Sequence, residues 1–79
     1  MTPFTTDEID LAALLIVATG QQPKIEVHPF RSLFHFEQTD AVNQVTLAFA
    51  AGTATCNARD LLRARRGLFN FIRGGGHGR

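Results

Sequence analysis

The stretch that most constrains the fold is IDLAALLIVATG, residues 9–20, because after Asp10 it is apolar on nearly every side. A helix of this kind has no polar face for solvent, so it must be buried on more than one side, by other elements or by another chain. Gly20 is the residue type that most often ends a helix in the left-handed conformation. The sequence therefore predicts a first helix that is covered from several directions.

The residues before this run predict where the helix begins. Thr5 and Glu8 have the T-x-x-E spacing of a capping box, in which each side chain accepts from a backbone N–H that the helix leaves unpaired. Phe4 and Ile9 then occupy the positions of a hydrophobic staple. We therefore expect the first helix to start directly after Thr5.

Two alternating segments, KIEVH at 24–28 and LFHFE at 33–37, predict β-strands joined by a turn at 29–32. This loop length pairs Glu26 with His35. The apolar residues of both strands then share one face: Ile25, Val27, Phe34 and Phe36. A two-stranded hairpin is marginal alone, so this face must pack on helices.

The second half of the chain predicts two more helices. One starts at Thr39 or Asp40 and ends at Gly52, and the other is capped by Asn57. The predicted fold class is α+β, one domain over residues 1–73 in the order α-β-β-α-α, with a two-stranded antiparallel hairpin on the helices. The glycine-rich tail, residues 74–79, is predicted to be disordered.

The length of the chain predicts a partner. Small domains bury a limited fraction of their surface, and they usually need a disulfide, a metal or a second copy. The single cysteine, Cys56, excludes an intramolecular disulfide and is expected to be a small buried residue, and no Cys/His cluster has zinc spacing. We therefore expect a homodimer that acts through protein–protein contact. The candidate interface residues are Leu11, Leu14, Leu15 and Arg65.

Charge is divided unevenly along the chain. Residues 1–56 hold six carboxylates and two cations, a net −4, and residues 57–79 hold six arginines and one aspartate, a net +5. At about 100° per residue, four arginines of the last helix fall on one side together with Asn70. These candidate nucleic-acid-binding residues are Arg59, Arg63, Arg66 and Arg73. A solvated polar face is the plain interpretation, and contact with nucleic acid phosphates is the functional one.

The same wheel places seven apolar residues opposite the arginines, and it gives no aromatic stacking surface on the polar side, which argues against single-strand recognition. The seven are Leu61, Leu62, Ala64, Leu68, Phe69, Phe71 and Ile72. Arg65 falls within this apolar sector. It lies at the edge and reaches solvent, or pairs with a carboxylate (Asp10, Glu37 or Asp40), or crosses a subunit interface.

No pattern of residues predicts catalysis. Glu26, His28 and His35 would share a hairpin face, but three ligands on a two-stranded ribbon are a weak metal site, and exposed strand histidines are the simpler interpretation. We expect a non-enzyme with no metal, cofactor or small-molecule substrate. The lone cysteine, the acidic amino-terminal segment and an apolar run too short for a bilayer predict a cytoplasmic protein without a membrane partner.

Three stretches, TTDEIDLAALLIVATG, LFHFEQTD and GTATCNARDLLRARRGLFNFI, resemble in this order a family of short bacterial and phage proteins classed as a domain of unknown function. Members of that family have a T-x-D-x-x-L-A-A-like helix, a hairpin that ends F-x-F-E-x-T, and a last helix that opens with N-A-R. The connector AFAAGTATC is smaller than the family's and lacks its charges. The resemblance implies no catalytic residues, and it implies a phage or mobile-element setting with a nucleic-acid-linked or assembly role.

Overall fold

The computed structural model describes residues 3–74 of the chain, which form three helices and a three-stranded antiparallel sheet. The elements in chain order are β1 (Phe4–Thr6), α1 (Ile9–Thr19), β2 (Lys24–Val27), β3 (Ser32–Phe36), α2 (Asp40–Ala51) and α3 (Ala58–Arg73). The α+β class is confirmed, and the predicted order α-β-β-α-α is wrong because it lacks β1. Apart from Gly74, whose N–H donates to Asn70 O, the predicted disordered tail lies outside the described residues.

The strand β1 replaces the predicted capping box at the start of α1. It pairs with β3, which makes the strand order β1-β3-β2. The Thr5 hydroxyl lies 2.8 Å from His35 Nδ1 across this pair, so it does not cap the helix. Instead Glu8 occupies the N-cap position without a side-chain cap bond, and its N–H donates to Thr6 Oγ1. The staple of Phe4 and Ile9 fails with the box, although both side chains pack on the core.

The β2–β3 hairpin exists, but its register differs from the predicted one by two residues. Glu26 lies opposite Leu33 rather than His35, and the loop is closed by His28 N–H donating to Arg31 O at 2.9 Å. A shift of two residues leaves every side chain on its predicted face. Phe34 and Phe36 are therefore buried as expected.

The core is built around α1, which packs on both α2 and α3 and contacts β1. Its buried residues are Leu11, Ala12, Ala13, Leu14 and Leu15, none more than 6% exposed. The three leucines proposed for a dimer interface are thus covered within one chain and belong to its core. The prediction that α1 is buried on more than one side is correct, and the chain itself supplies the cover.

Apart from the start of α1, the ends of the helices follow the sequence signals. Gly20 and Gly52 end α1 and α2 with φ of 77° and 76°, in the left-handed region that glycine adopts without strain. Thr39 caps α2 by accepting from Val42 N–H at 3.1 Å. Within residues 3–74, no helix combines the length and the apolar character needed to cross a membrane.

The description of the core predicts that two phenylalanines of the same hairpin contribute very differently to the free energy of unfolding. Phe34→Ala should lower the free energy of unfolding by about 3–5 kcal/mol, because it leaves a cavity under the sheet. Phe30→Ala should change it by less than about 0.5 kcal/mol, because Phe30 is 99% exposed at the hairpin tip. Urea denaturation followed by circular dichroism measures both, and similar losses in the two variants would contradict this description of the core.

Candidate nucleic-acid interface

The helix α3 is anchored at its start and along one side. Asn57 caps it by accepting from Asp60 N–H at 3.1 Å. Leu68 is buried, and three partly buried residues pack beside it on the core: Leu61, Ala64 and Ile72. These positions recur at helical spacing, so α3 presents one continuous side to α1. Its opposite side is turned to solvent.

The four arginines singled out in the sequence are all exposed on that solvent side. We call this surface the arginine face: Arg59, Arg63, Arg66 and Arg73. Within residues 3–74, no carboxylate oxygen lies within 4.0 Å of their guanidinium nitrogens. Arg73 Nη2 donates to Asn70 Oδ1 at 2.6 Å, a contact with a neutral amide that leaves the charge uncompensated. The described part of the chain thus carries one strip of free positive charge on α3.

Arg65 differs from the other arginines of α3. Its Nε donates to Asp10 Oδ1 at 2.7 Å, and its guanidinium lies over the Phe69 ring, 5.4 Å from the centroid. Of the alternatives left open by the sequence, the carboxylate pair is the one formed, so Arg65 is not free for a subunit interface. Both side chains are partly exposed, at 34% and 62%, so the pair stabilises the fold by only about 0.2–1 kcal/mol.

Three apolar residues of α3 that the helical wheel assigned to the core side are half-exposed instead: Leu62 at 55%, Phe69 at 44% and Phe71 at 46%. Leu62 and Phe69 border the arginine face, about 20° and 40° from Arg73 around the helix, and Phe71 lies on the other flank, about 80° from Arg63. A half-exposed aromatic ring therefore lies beside the polar side of α3, where the sequence placed only core residues. The wheel does contain a signal for Phe69, because this residue lies at the edge of the apolar sector. A sector limited to the residues that one neighbouring helix can cover would leave Phe69 exposed.

Two shallow grooves meet at Leu62. One, of about 400 Å³, is lined by three arginines of the arginine face and Leu62. The other, of about 540 Å³, lies between α1, α3 and the 52–57 connector, and its apolar lining includes Leu14, Phe49 and Leu62. Cys56 lines the second groove and is exposed, so the prediction of a buried cysteine is wrong. Leu62 thus separates a basic surface from an apolar one.

A separate polar cluster crosses the outer face of the sheet. Since a carboxylate can only accept, His35 Nε2–H donates to Glu26 Oε1, at 2.7 Å. In the neutral ring His35 Nδ1 then accepts from the Thr5 hydroxyl at 2.8 Å. His28 Nε2 lies 3.5 Å from the other oxygen of Glu26. This chain of contacts ties the three strands together, and it is open to solvent.

Both carboxylate oxygens of Glu26 already have a partner within the cluster: Oε1 contacts His35 and Oε2 contacts His28. The hydrogen bond from His35 lowers the pKa of Glu26 below its ordinary value of 4.5, and His28 adds to the lowering. Among residues 3–74, no group of three or more histidine, cysteine, aspartate or glutamate side chains is arranged to hold a metal ion. The contacts of Thr5, His35 and Glu26 thus link β1, β3 and β2 across this face.

Comparison with protein-family models, with curated proteins and with solved structures finds no match to this chain. The resemblance to short bacterial and phage proteins stays a prediction.

The lowered pKa of Glu26 predicts an acid-dependent loss of stability. A carboxylate whose pKa is lower in the folded state stabilises the fold above its unfolded pKa, and this contribution is lost as the pH falls through the folded value. Stability should therefore decline below about pH 4.5 in the parent chain, and part of that decline should be absent in Glu26→Gln. Urea midpoints at pH 7 and pH 3 measure it, with Glu37→Gln as the control. Equal declines in the parent and in Glu26→Gln would contradict the assignment.

Proposed function

We propose that this chain binds nucleic acid through its phosphate backbone, by means of the arginine face. The observation that supports the proposal is the group of four exposed guanidinium groups on one side of α3 without a carboxylate partner in residues 3–74. A solvated helix face of ordinary composition mixes both signs of charge. A strip of one sign raises the local concentration of polyanions and speeds their encounter.

The dimensions of α3 suit this role. From Arg59 to Arg73 the helix rises about 21 Å at 1.5 Å per residue. DNA carries a phosphate about every 3.4 Å along each strand, so the arginine face spans several phosphates. Guanidinium groups present planar, paired donors that match phosphate oxygens. Contacts of this kind set affinity and position but carry no base sequence, so the proposed binding is non-specific.

This proposal ranks above the homodimer expected from the sequence. The interface expected for that homodimer was placed on the apolar first helix, and α1 is covered by elements of its own chain. Arg65, also assigned to the interface, is engaged with Asp10. The arginine face itself is unsuited to a two-fold contact, because arginines would face arginines.

A salt titration with duplex DNA tests the proposal. Four phosphate contacts predict a slope of about −3.6 in log affinity against log salt concentration, which is roughly a 150-fold loss between 50 and 200 mM salt. Each Arg→Gln substitution in the arginine face should reduce the magnitude of the slope by about 0.9. Fluorescence anisotropy of a labelled duplex measures the affinities.

Arg31→Gln is the matched control for that titration. Arg31 is an exposed arginine of the hairpin loop, 3.9 Å from Asp7 and outside α3. The same substitution there should leave the slope unchanged. If the variant with all four arginines replaced keeps the parent affinity and a native circular dichroism spectrum, the proposal is overturned.

A homodimer remains a second candidate, on a different surface. Leu47, at the centre of the outer side of α2, is 71% exposed. Its helical neighbours are small or uncharged: Asn43, Ala50 and Ala51, all exposed. Apart from Asp40 at its N-terminal end, this face carries no charge, so its middle and C-terminal parts can meet a copy of themselves without opposing like charges. The small size of the chain favours such a contact.

The α2 contact predicts a concentration-dependent dimer that Leu47→Glu dissociates, because the substitution places two carboxylates in one apolar contact. Size-exclusion chromatography with light scattering at high micromolar concentration measures the mass. Phe30→Glu makes the same change of charge at the hairpin tip and should leave the dimer intact. A parent chain that stays monomeric throughout would remove this candidate.

A further inference from the structure

We infer that the arginine face takes single-stranded nucleic acid in preference to a duplex, with an unpaired base stacked on the ring of Phe69. This inference rests on the nucleic-acid binding proposed above and goes beyond it by naming the form of the ligand. It is carried by the juxtaposition of a half-exposed aromatic ring with uncompensated arginines on one side of one helix.

Phe69 lies beside two residues of the arginine face at helical spacing. Arg66 precedes it by three residues and Arg73 follows it by four, and side chains at these spacings are neighbours, with about 5–6 Å between Cβ atoms. Leu62, seven residues before Phe69, is on the same side and lines the groove between the arginines. An apolar edge thus runs beside the cationic strip for about two turns of α3.

This edge distinguishes single strands from duplexes. Proteins that bind single strands without sequence preference combine a cationic groove along the backbone with aromatic rings on which bases stack. In a duplex the faces of the bases lie inside the stack, so phosphates are available to the arginines but no base is available to Phe69. In a single strand both contacts form together, with phosphates along the groove of about 400 Å³ and a base on the ring.

The ring already has a contact on one side before any ligand binds. The Arg65 guanidinium lies over it, and Arg65 Nε donates to Asp10 Oδ1 at the start of α1, at 2.7 Å. With Arg65 in place, 44% of Phe69 is still exposed. A ring that is already ordered loses little conformational entropy when a base stacks on it, which favours affinity.

An anionic membrane is the competing partner for a basic surface with apolar neighbours. A helix that lies in a membrane interface buries a whole apolar side among the lipids. The apolar side of α3 is packed against α1 through Leu68 and its neighbours, and only Leu62 and Phe69 border the arginines. Two side chains suit a base better than a lipid layer, so single-stranded nucleic acid is the favoured ligand.

The experiment compares a labelled single-stranded oligonucleotide of mixed sequence with the same strand annealed to its complement, at one salt concentration. The parent chain should bind the single strand more tightly. Phe69→Ala should weaken single-strand binding by about five- to 150-fold, the range for loss of one stacked base, and should leave duplex binding within about twofold. Phe69→Trp keeps an aromatic surface and should retain single-strand affinity.

Phe71→Ala is the matched control, because Phe71 has nearly the same exposure but lies on the opposite flank of α3, farther from the nearest arginine of the arginine face. It should alter neither affinity. If Phe69→Ala and Phe71→Ala bind the single strand alike, or if the parent chain binds the duplex as tightly, the inference is overturned, while loss of binding in the arginine variants still supports the proposed function. If neither oligonucleotide binds, both fail, and binding to phosphatidylserine vesicles alone would assign the surface to membranes.

Discussion

The burial of α1 is the constraint on which the rest of the structure depends. A helix that is apolar on nearly all sides cannot be stable at a surface, and here the sheet, α2 and α3 together supply its cover. To do so, α3 must turn Leu68 and its neighbours inward. Once that side is fixed, the 3.6-residue period leaves the arginines no direction except outward. The arginine face is therefore a geometric consequence of how the core is closed.

The acidic half of the chain does not neutralise that face, although its charge would allow it to. Asp10 is engaged by Arg65, Asp7 lies nearest Arg31, and Glu26 is held by two histidines. Each of these carboxylates contacts a cationic side chain or a histidine that is not part of the arginine face. The uneven division of charge along the sequence thus persists as an uneven division in space, across residues 3–74.

What the sequence could predict follows from the range of the interactions involved. Gly20, Gly52, Thr39 and Asn57 act within a few residues of themselves, and the boundaries that they predicted are correct. The strand β1 could not be found in this way, because three residues carry almost no periodic signal and their pairing with β3 spans some thirty positions. The hairpin register failed similarly, since the alternation of side chains is satisfied equally well by registers two residues apart.

The same distinction explains the errors at the candidate site. A wheel gives the direction of each side chain, so the exposed arginines followed from the sequence, but it does not say how wide a sector the neighbouring elements cover. Leu62, Phe69 and Phe71 were assigned to the core, and the contact with α1 proved too narrow to reach them. The pairing of Arg65 with Asp10 joins residues 55 positions apart, which only the packed structure selects from the available carboxylates.

The two candidate functions are compatible, because they use different helices. Both α2 and α3 pack on α1, and the Leu47 side of α2 and the cationic side of α3 each face solvent. A dimer formed through α2 would therefore carry two arginine faces. If each face binds a polyanion through its four charges, two faces on one body would bind the same polyanion with an effective concentration that raises the overall affinity. Self-association would then contribute to function by raising the affinity for nucleic acid. It is not needed to cover the core, because the core is closed within one chain.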